Sequence, residues 1–132
     1  GNRGRTYLDL GQYALAIQDF DEAIRLNPQY SDAYRNRAIA YGALGQYERA
    51  IQDLDEAIRL DTSVAWAYHI GGYAYDELGQ HERAIQDYDE VIRLNPQEAM
   101  AYYNRGGSYE ALGKTKEAER DFQKAKELGY NP

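Results

Sequence analysis

The chain has 132 residues, 43% of them apolar and 13% aromatic, enough for the core of one domain, and fourteen of its aromatics are Tyr. Zero Cys removes disulfides, thiolate nucleophiles and Cys-ligated zinc, and a net charge of −7 repels phosphate backbones and acidic membranes. No run approaches the roughly 18 to 20 apolar residues of a membrane span and no signal-peptide pattern opens the chain, so the expected setting is the cytoplasm, with neither nucleic acid nor membrane as partner.

The elements repeat. Tyr7–Tyr13 (YLDLGQY) returns as Tyr41–Tyr47 (YGALGQY), Tyr75–His81 (YDELGQH) and Tyr109–Thr115 (YEALGKT), each step 34 residues. The stretch Ala16–Pro28 recurs nearly unchanged from Ala50 and from Ala84, and as a worn copy from Ala118. A fixed period of this size means stacked units, each burying its apolar face on its neighbours. The units are residues 1–30, 31–64, 65–98 and 99–132 of a single array.

In the first unit the leading half, Gly1 to Leu10, is four residues short. It leaves about two and a half helical turns and reads as a helix cut in the middle, with more chain upstream. Its second half places Ala16, Phe20, Ala23 and Ile24 on one helical face beside Ile17. Asn27-Pro28 ends that helix, as Asn95-Pro96 ends the matching one in the third unit. In the second unit Ala33, Tyr34, Ala38 and Tyr41 share a face after Asp32. Gly11, Gly45, Gly79 and Gly113 stand where a helix terminus needs a left-handed residue. Asp21→Arg25, Asp55→Arg59 and Asp89→Arg93 are spaced i, i+4 for surface pairing. In the fourth unit Glu119 and Lys126 replace the Ile of earlier copies, turning a docking face into one that tolerates water, as expected of a terminal repeat. Four helix-turn-helix hairpins are predicted, the first truncated, and no strands.

Catalytic groups are sparse. Ser31, Ser63 and Ser108 sit at helix starts or mid-helix without a nearby His in the sequence. Gly113-Lys114-Thr115 imitates the tail of a phosphate loop, but the upstream Gly falls on Ser108. His81 replaces Tyr13 and Tyr47 at a packing position and is expected in the core. Calcium-loop spacing is absent. No enzyme activity, cofactor or metal is expected. Arg37 and Arg105, in the recurring Asn-Arg pair, are expected to bind Asp residues of the Asp19, Asp53, Asp87, Asp121 register between packed helices. The alternative is that they line a groove for acidic peptide.

The recurring frame (in the second unit Tyr34, Ala38, Tyr41, Leu44, Gly45, Tyr47, Ala50, Leu54 and Ala57) resembles the tetratricopeptide repeat. In the third unit it reads Tyr68, Gly72, Tyr75, Leu78, Gly79, His81, Ala84, Tyr88, Val91 and Pro96, with Val91 in place of the usual Ala; Thr62 stands for the usual Pro in the second. Ala38, Ala50, Ala57, Gly72 and Ala84 let helices approach closely.

The resemblance covers nearly the whole chain and implies an all-α, right-handed solenoid that serves as a protein-protein interaction scaffold, the first helix of each pair lining a concave groove. The groove positions map onto Asp32, Arg35, Asn36, Ile39, Gly42 and Ala43 in the second unit. In the third they are Trp66, His69, Ile70, Tyr73, Asp76 and Glu77, and in the fourth Met100, Tyr103, Asn104, Gly107, Glu110 and Ala111. The first adds Asn2, Arg5, Leu8 and Asp9. One branch of the family grips chaperone C-termini with a clamp of two Lys, two Asn and one Arg. Here only Asn36 matches it, against Gly1, Arg5, Trp66 and Ile70, so that ligand is not expected. Trp66, Ile70, Tyr73, Met100 and Tyr103 instead gather apolar area for a protein or peptide ligand, with Arg35, Asn36, Ile39, His69 and Asn104 beside them. The rival expectation is self-association into a homo-oligomer.

Overall fold

The computed structural model describes the backbone of residues 2–131 and the side chains of residues 10–131. Among these residues there are seven helices and no strand: α1 (Asn2–Leu26), α2 (Ser31–Ala43), α3 (Tyr47–Leu60), α4 (Ala65–Glu77), α5 (His81–Leu94), α6 (Ala99–Ala111) and α7 (Thr115–Glu127). They fall into two compact units, Gly1–Thr62 and Ser63–Pro132. In the first, α2 packs against both α1 and α3; in the second, α5 packs on α4 and α6, and α6 on α7 and the side of α4.

Three of the four expected hairpins are present: α2/α3, α4/α5 and α6/α7. Their turns are made by Gly45, Gly79 and Gly113, with φ of 75°, 76° and 77°. At the first, Gln46 N–H reaches back to Tyr41 C=O (2.8 Å) and Gly45 N–H to Gly42 C=O (3.0 Å), the paired closure that satisfies orphan helix carbonyls. The first repeat departs from expectation. α1 runs straight through Gly11 as one 25-residue helix. At Gly45, Gly79 and Gly113 the helix after the turn packs back on the one before it, α3 on α2, α5 on α4 and α7 on α6. Continuing the backbone ladder satisfies the same groups with no partner required.

The core is built from small residues against a few large ones. In the first unit Ala33, Ala38, Ala50 and Ala57 are buried along with Tyr34 and Leu54; in the second Ala67, Ala84, Ala101 and Ala118 are buried along with Tyr88 and Val91. A Cβ added to Gly72 would lie 2.6 Å from the Tyr88 ring, and one added to Gly106 2.8 Å from the Phe122 ring. The first unit holds Ala38 and Leu54 at the same sixteen-residue spacing, so the missing methyl and the aromatic ring go together. Tyr34 and Tyr102 also pin the loop before their own helix, donating to the carbonyls of Pro28 (2.9 Å) and Pro96 (3.1 Å).

Candidate functional site

In the second unit α4 and α6 meet through His69 and Asn104, where Asn104 Nδ2 donates to His69 Nε2 at 3.3 Å. The His69 ring also stands edge-on to Tyr88, centroids 5.9 Å apart. Burial depresses the His69 pKa and Glu98 pulls weakly the other way, so imidazole is favoured over imidazolium. Trp66 and Tyr73 lie about one turn either side of His69, with Ile70 beside it, and Met100 one turn before Asn104, so one stripe on each helix carries them. Tyr73 is 53% exposed and Met100 46% exposed, whereas Trp66, His69, Ile70, Tyr103 and Asn104 are half-buried. Tyr103 is clasped from behind: its ring lies 5.4 Å from Phe122 and 4.5 Å from Tyr130. Tyr130 lies outside the predicted site residues, and its one signal in the sequence is an aromatic at the register place of Pro28 and Pro96.

In the first unit Arg35, Asn36 and Ile39 are exposed on α2 in the matching register. Asn2, Arg5, Leu8 and Asp9 have side chains outside the described residues.

Asp76 is not a surface groove residue. Ser108 Oγ lies 2.7 and 2.8 Å from its two carboxylate oxygens, and His81 Nδ1 lies 2.9 Å from Oδ1. The Tyr88 hydroxyl also bonds to it; burial first, then the Asp76 charge, pushes the Tyr88 pKa up. One carboxylate thus ties α4, α5 and α6 together. Ser108 therefore does have a His nearby in space, contrary to its place in the sequence, but the order is Ser–Asp–His. A triad needs imidazole, not carboxylate, against the hydroxyl, and Ser108 is buried. His81, expected in the core, is half-buried at the start of α5 and held by Asp76 instead.

Arg37 and Arg105 are structural. Arg37 grips Asp53 with Nε (2.9 Å) and Nη2 (2.6 Å) while Nη1 reaches Asp21 (2.8 Å). Arg105 repeats this on Asp121 (2.8 Å twice) and Asp89 (2.9 Å). Each guanidinium also sits near two rings, Tyr34 and Tyr41 for Arg37, Tyr102 and Tyr109 for Arg105. Hydrogen bonds donated to Asp53 and Asp121 raise both Arg pKa values further, so both stay charged. Burial raises the Asp53 carboxyl above its ordinary value even against Arg37, the desolvation a buried pair carries. Asp21 and Asp89, expected to pair along their own helix, are taken by these bridges. Arg25, Arg59 and Arg93 turn instead to Glu22, Glu56 and Glu90 at i, i+3. Among the described residues no group of three or more His, Cys, Asp or Glu could hold a metal ion, and no helix is long and apolar enough to cross a membrane.

Tetratricopeptide-repeat family models match residues 2–65, 72–113 and 99–128. No curated protein matches the chain. Among solved structures, a crystal structure of MamA is 34% identical over 95% of this chain and 73% of its own, with a TM-score of 0.86. MamA 41-end from Desulfovibrio magneticus RS-1 is 27% identical over 92% of this chain and 68% of its own, with a TM-score of 0.84. The second TPR of Spaghetti (RPAP3), bound to the HSP90 peptide SRMEEVD, is 30% identical over 81% of this chain and 98% of its own, with a TM-score of 0.72. With helical hairpins of one register and these matches along its length, the chain belongs to the tetratricopeptide repeat family.

Proposed function

We propose that this chain is a protein-interaction scaffold whose α4/α6 face docks an extended or helical segment of a partner protein. The observation that carries the reading is the pair Tyr73 and Met100, large apolar side chains left half exposed beside Trp66 and the His69–Asn104 contact. Core packing does not account for them, and aromatic side chains with open faces are what binding surfaces concentrate. The peptide-bound RPAP3 structure supports it as a use to which this fold is put. Arg35, Asn36 and Ile39 occupy the same register on α2 and form a separate candidate set in the first unit. Trp66 is the single Trp, so its emission reports this face alone. Titrating peptides should produce a saturable Trp66 shift that Tyr73→Ala removes. Trp66 emission indifferent to every peptide would remove the α4/α6 face as a binding site.

A second reading, self-association, is favoured by a different observation. α1 leaves Leu15 63% and Leu26 71% exposed, with Tyr13 also open. Light scattering on dilution tests it: a concentration-dependent mass that Leu15→Glu abolishes supports assembly, and a constant monomer mass rejects it.

A further inference from the structure

The α4/α6 face has an electrostatic character opposite to what an acidic peptide requires. α4 contains no Lys or Arg at all, and the one basic residue of α6, Arg105, is locked between Asp121 and Asp89. His69, the remaining candidate cation, is held toward its neutral form by burial. Carboxylates border the face at both ends: Glu98 acts on His69 at the start of α6, while Glu77 and Glu110 are exposed near the ends of α4 and α6. Between them lie the Tyr73 ring and the Met100 thioether, a surface that suits a cation flanked by apolar groups.

We propose that the α4/α6 face selects a cationic segment of a partner protein, one that carries Arg or Lys among bulky apolar side chains. The proposal rests on the docking role given to this face above and names the chemistry of its occupant. Charge complementarity decides it: an acidic segment would meet Glu77, Glu98 and Glu110, while α4 and α6 offer no Lys or Arg besides the engaged Arg105, and like charges across an interface exclude wrong partners. A guanidinium or ammonium meets carboxylates at the rim and an aromatic ring within it, while the net charge of −7 draws it in.

Two short peptides of identical Leu and Phe content, one with Arg and the other with Glu at every polar position, are titrated against Trp66 emission. The Arg peptide should bind saturably and at least about tenfold more tightly than the Glu peptide. Glu77→Lys with Glu110→Lys should weaken it about tenfold, while Glu117→Lys with Glu119→Lys, exposed on α7, should leave it within about twofold. Equal binding of the Glu peptide, lost in Tyr73→Ala, overturns the charge selection and leaves the docking face standing. Binding of the Arg peptide that falls equally with the α7 reversals means diffuse attraction and also overturns it. If neither peptide moves Trp66, the docking face itself is rejected.

Discussion

At the scale of single residues, a missing methyl and a buried carboxylate do much of the specifying. Gly72 exists because the Tyr88 ring fills the place of its Cβ, so Gly72→Ala should destabilise the second unit by about 1–3 kcal/mol. Adding Tyr88→Leu, which recreates the Ala38–Leu54 combination, should recover part of that loss in urea unfolding. Recovery is capped because Tyr88 also bonds Asp76. Arg105→Ala strips a buried Asp121 of its guanidinium and should cost about 3 kcal/mol, whereas Arg25→Ala on the exposed Glu22 pair should leave the midpoint almost unmoved. His69 provides the pH handle. Its folded pKa is depressed, so its contribution to stability is complete above the unfolded value of about 6.5 and is lost as pH falls through the folded one. Thermal unfolding should therefore shift to lower temperature on acidification over that window, by less in His69→Gln. The groups facing His69 are Tyr88, Asn104 and Glu98. The sequence marks Arg37 and Arg105 as ion-pair partners, but it could not assign Asp21 and Asp89 to them. A carboxylate four residues before an Arg on one helix is equally well placed for either.

At the scale of elements, α1 is the departure that matters. The Leu-Gly signal that turns the chain after α2, α4 and α6 also stands at Leu10-Gly11, yet there the helix continues. Gly11→Ala separates the two conformations. Within a continuous helix, with nothing near the added Cβ, it should stabilise by roughly 0.5–1 kcal/mol; at a left-handed turn it would destabilise. Gly79→Ala, at a φ of 76°, should go the other way by about 1 kcal/mol. Circular dichroism during urea unfolding reads both. A C-terminal glycine signal is local, and whether it is obeyed depends on whether the preceding helix has something to pack against after the turn. Three of the four signals are followed by a second helix packed on the first, whereas the helix that carries Gly11 continues.

At the scale of the molecule, the net charge of −7 gives the chain a long-range field that attracts cations. Association of the Arg peptide should slow markedly when salt is raised, with a smaller effect on dissociation, because screening acts on the approach more than on the docked contact. Stopped-flow fluorescence of Trp66 at two ionic strengths checks it; a rate independent of salt would mean that the long-range field plays no part.

Sequence alone determined the all-α class, the 34-residue period, the turns at Gly45, Gly79 and Gly113, and the family. Each is legible because a repeat writes the same local solution several times, and periodicity and turn chemistry act over a few neighbouring residues. The candidate face was legible only as a set of register positions. Tertiary structure decided that Tyr73 and Met100 stand open while Tyr103 is clasped by Phe122 and Tyr130. It also decided that Asp76 turns inward to Ser108, His81 and Tyr88, and that the first repeat is one helix. These outcomes rest on contacts between residues far apart in the chain. A carboxylate or a ring follows whichever donor or surface the packed helices bring within reach, and no local pattern encodes that.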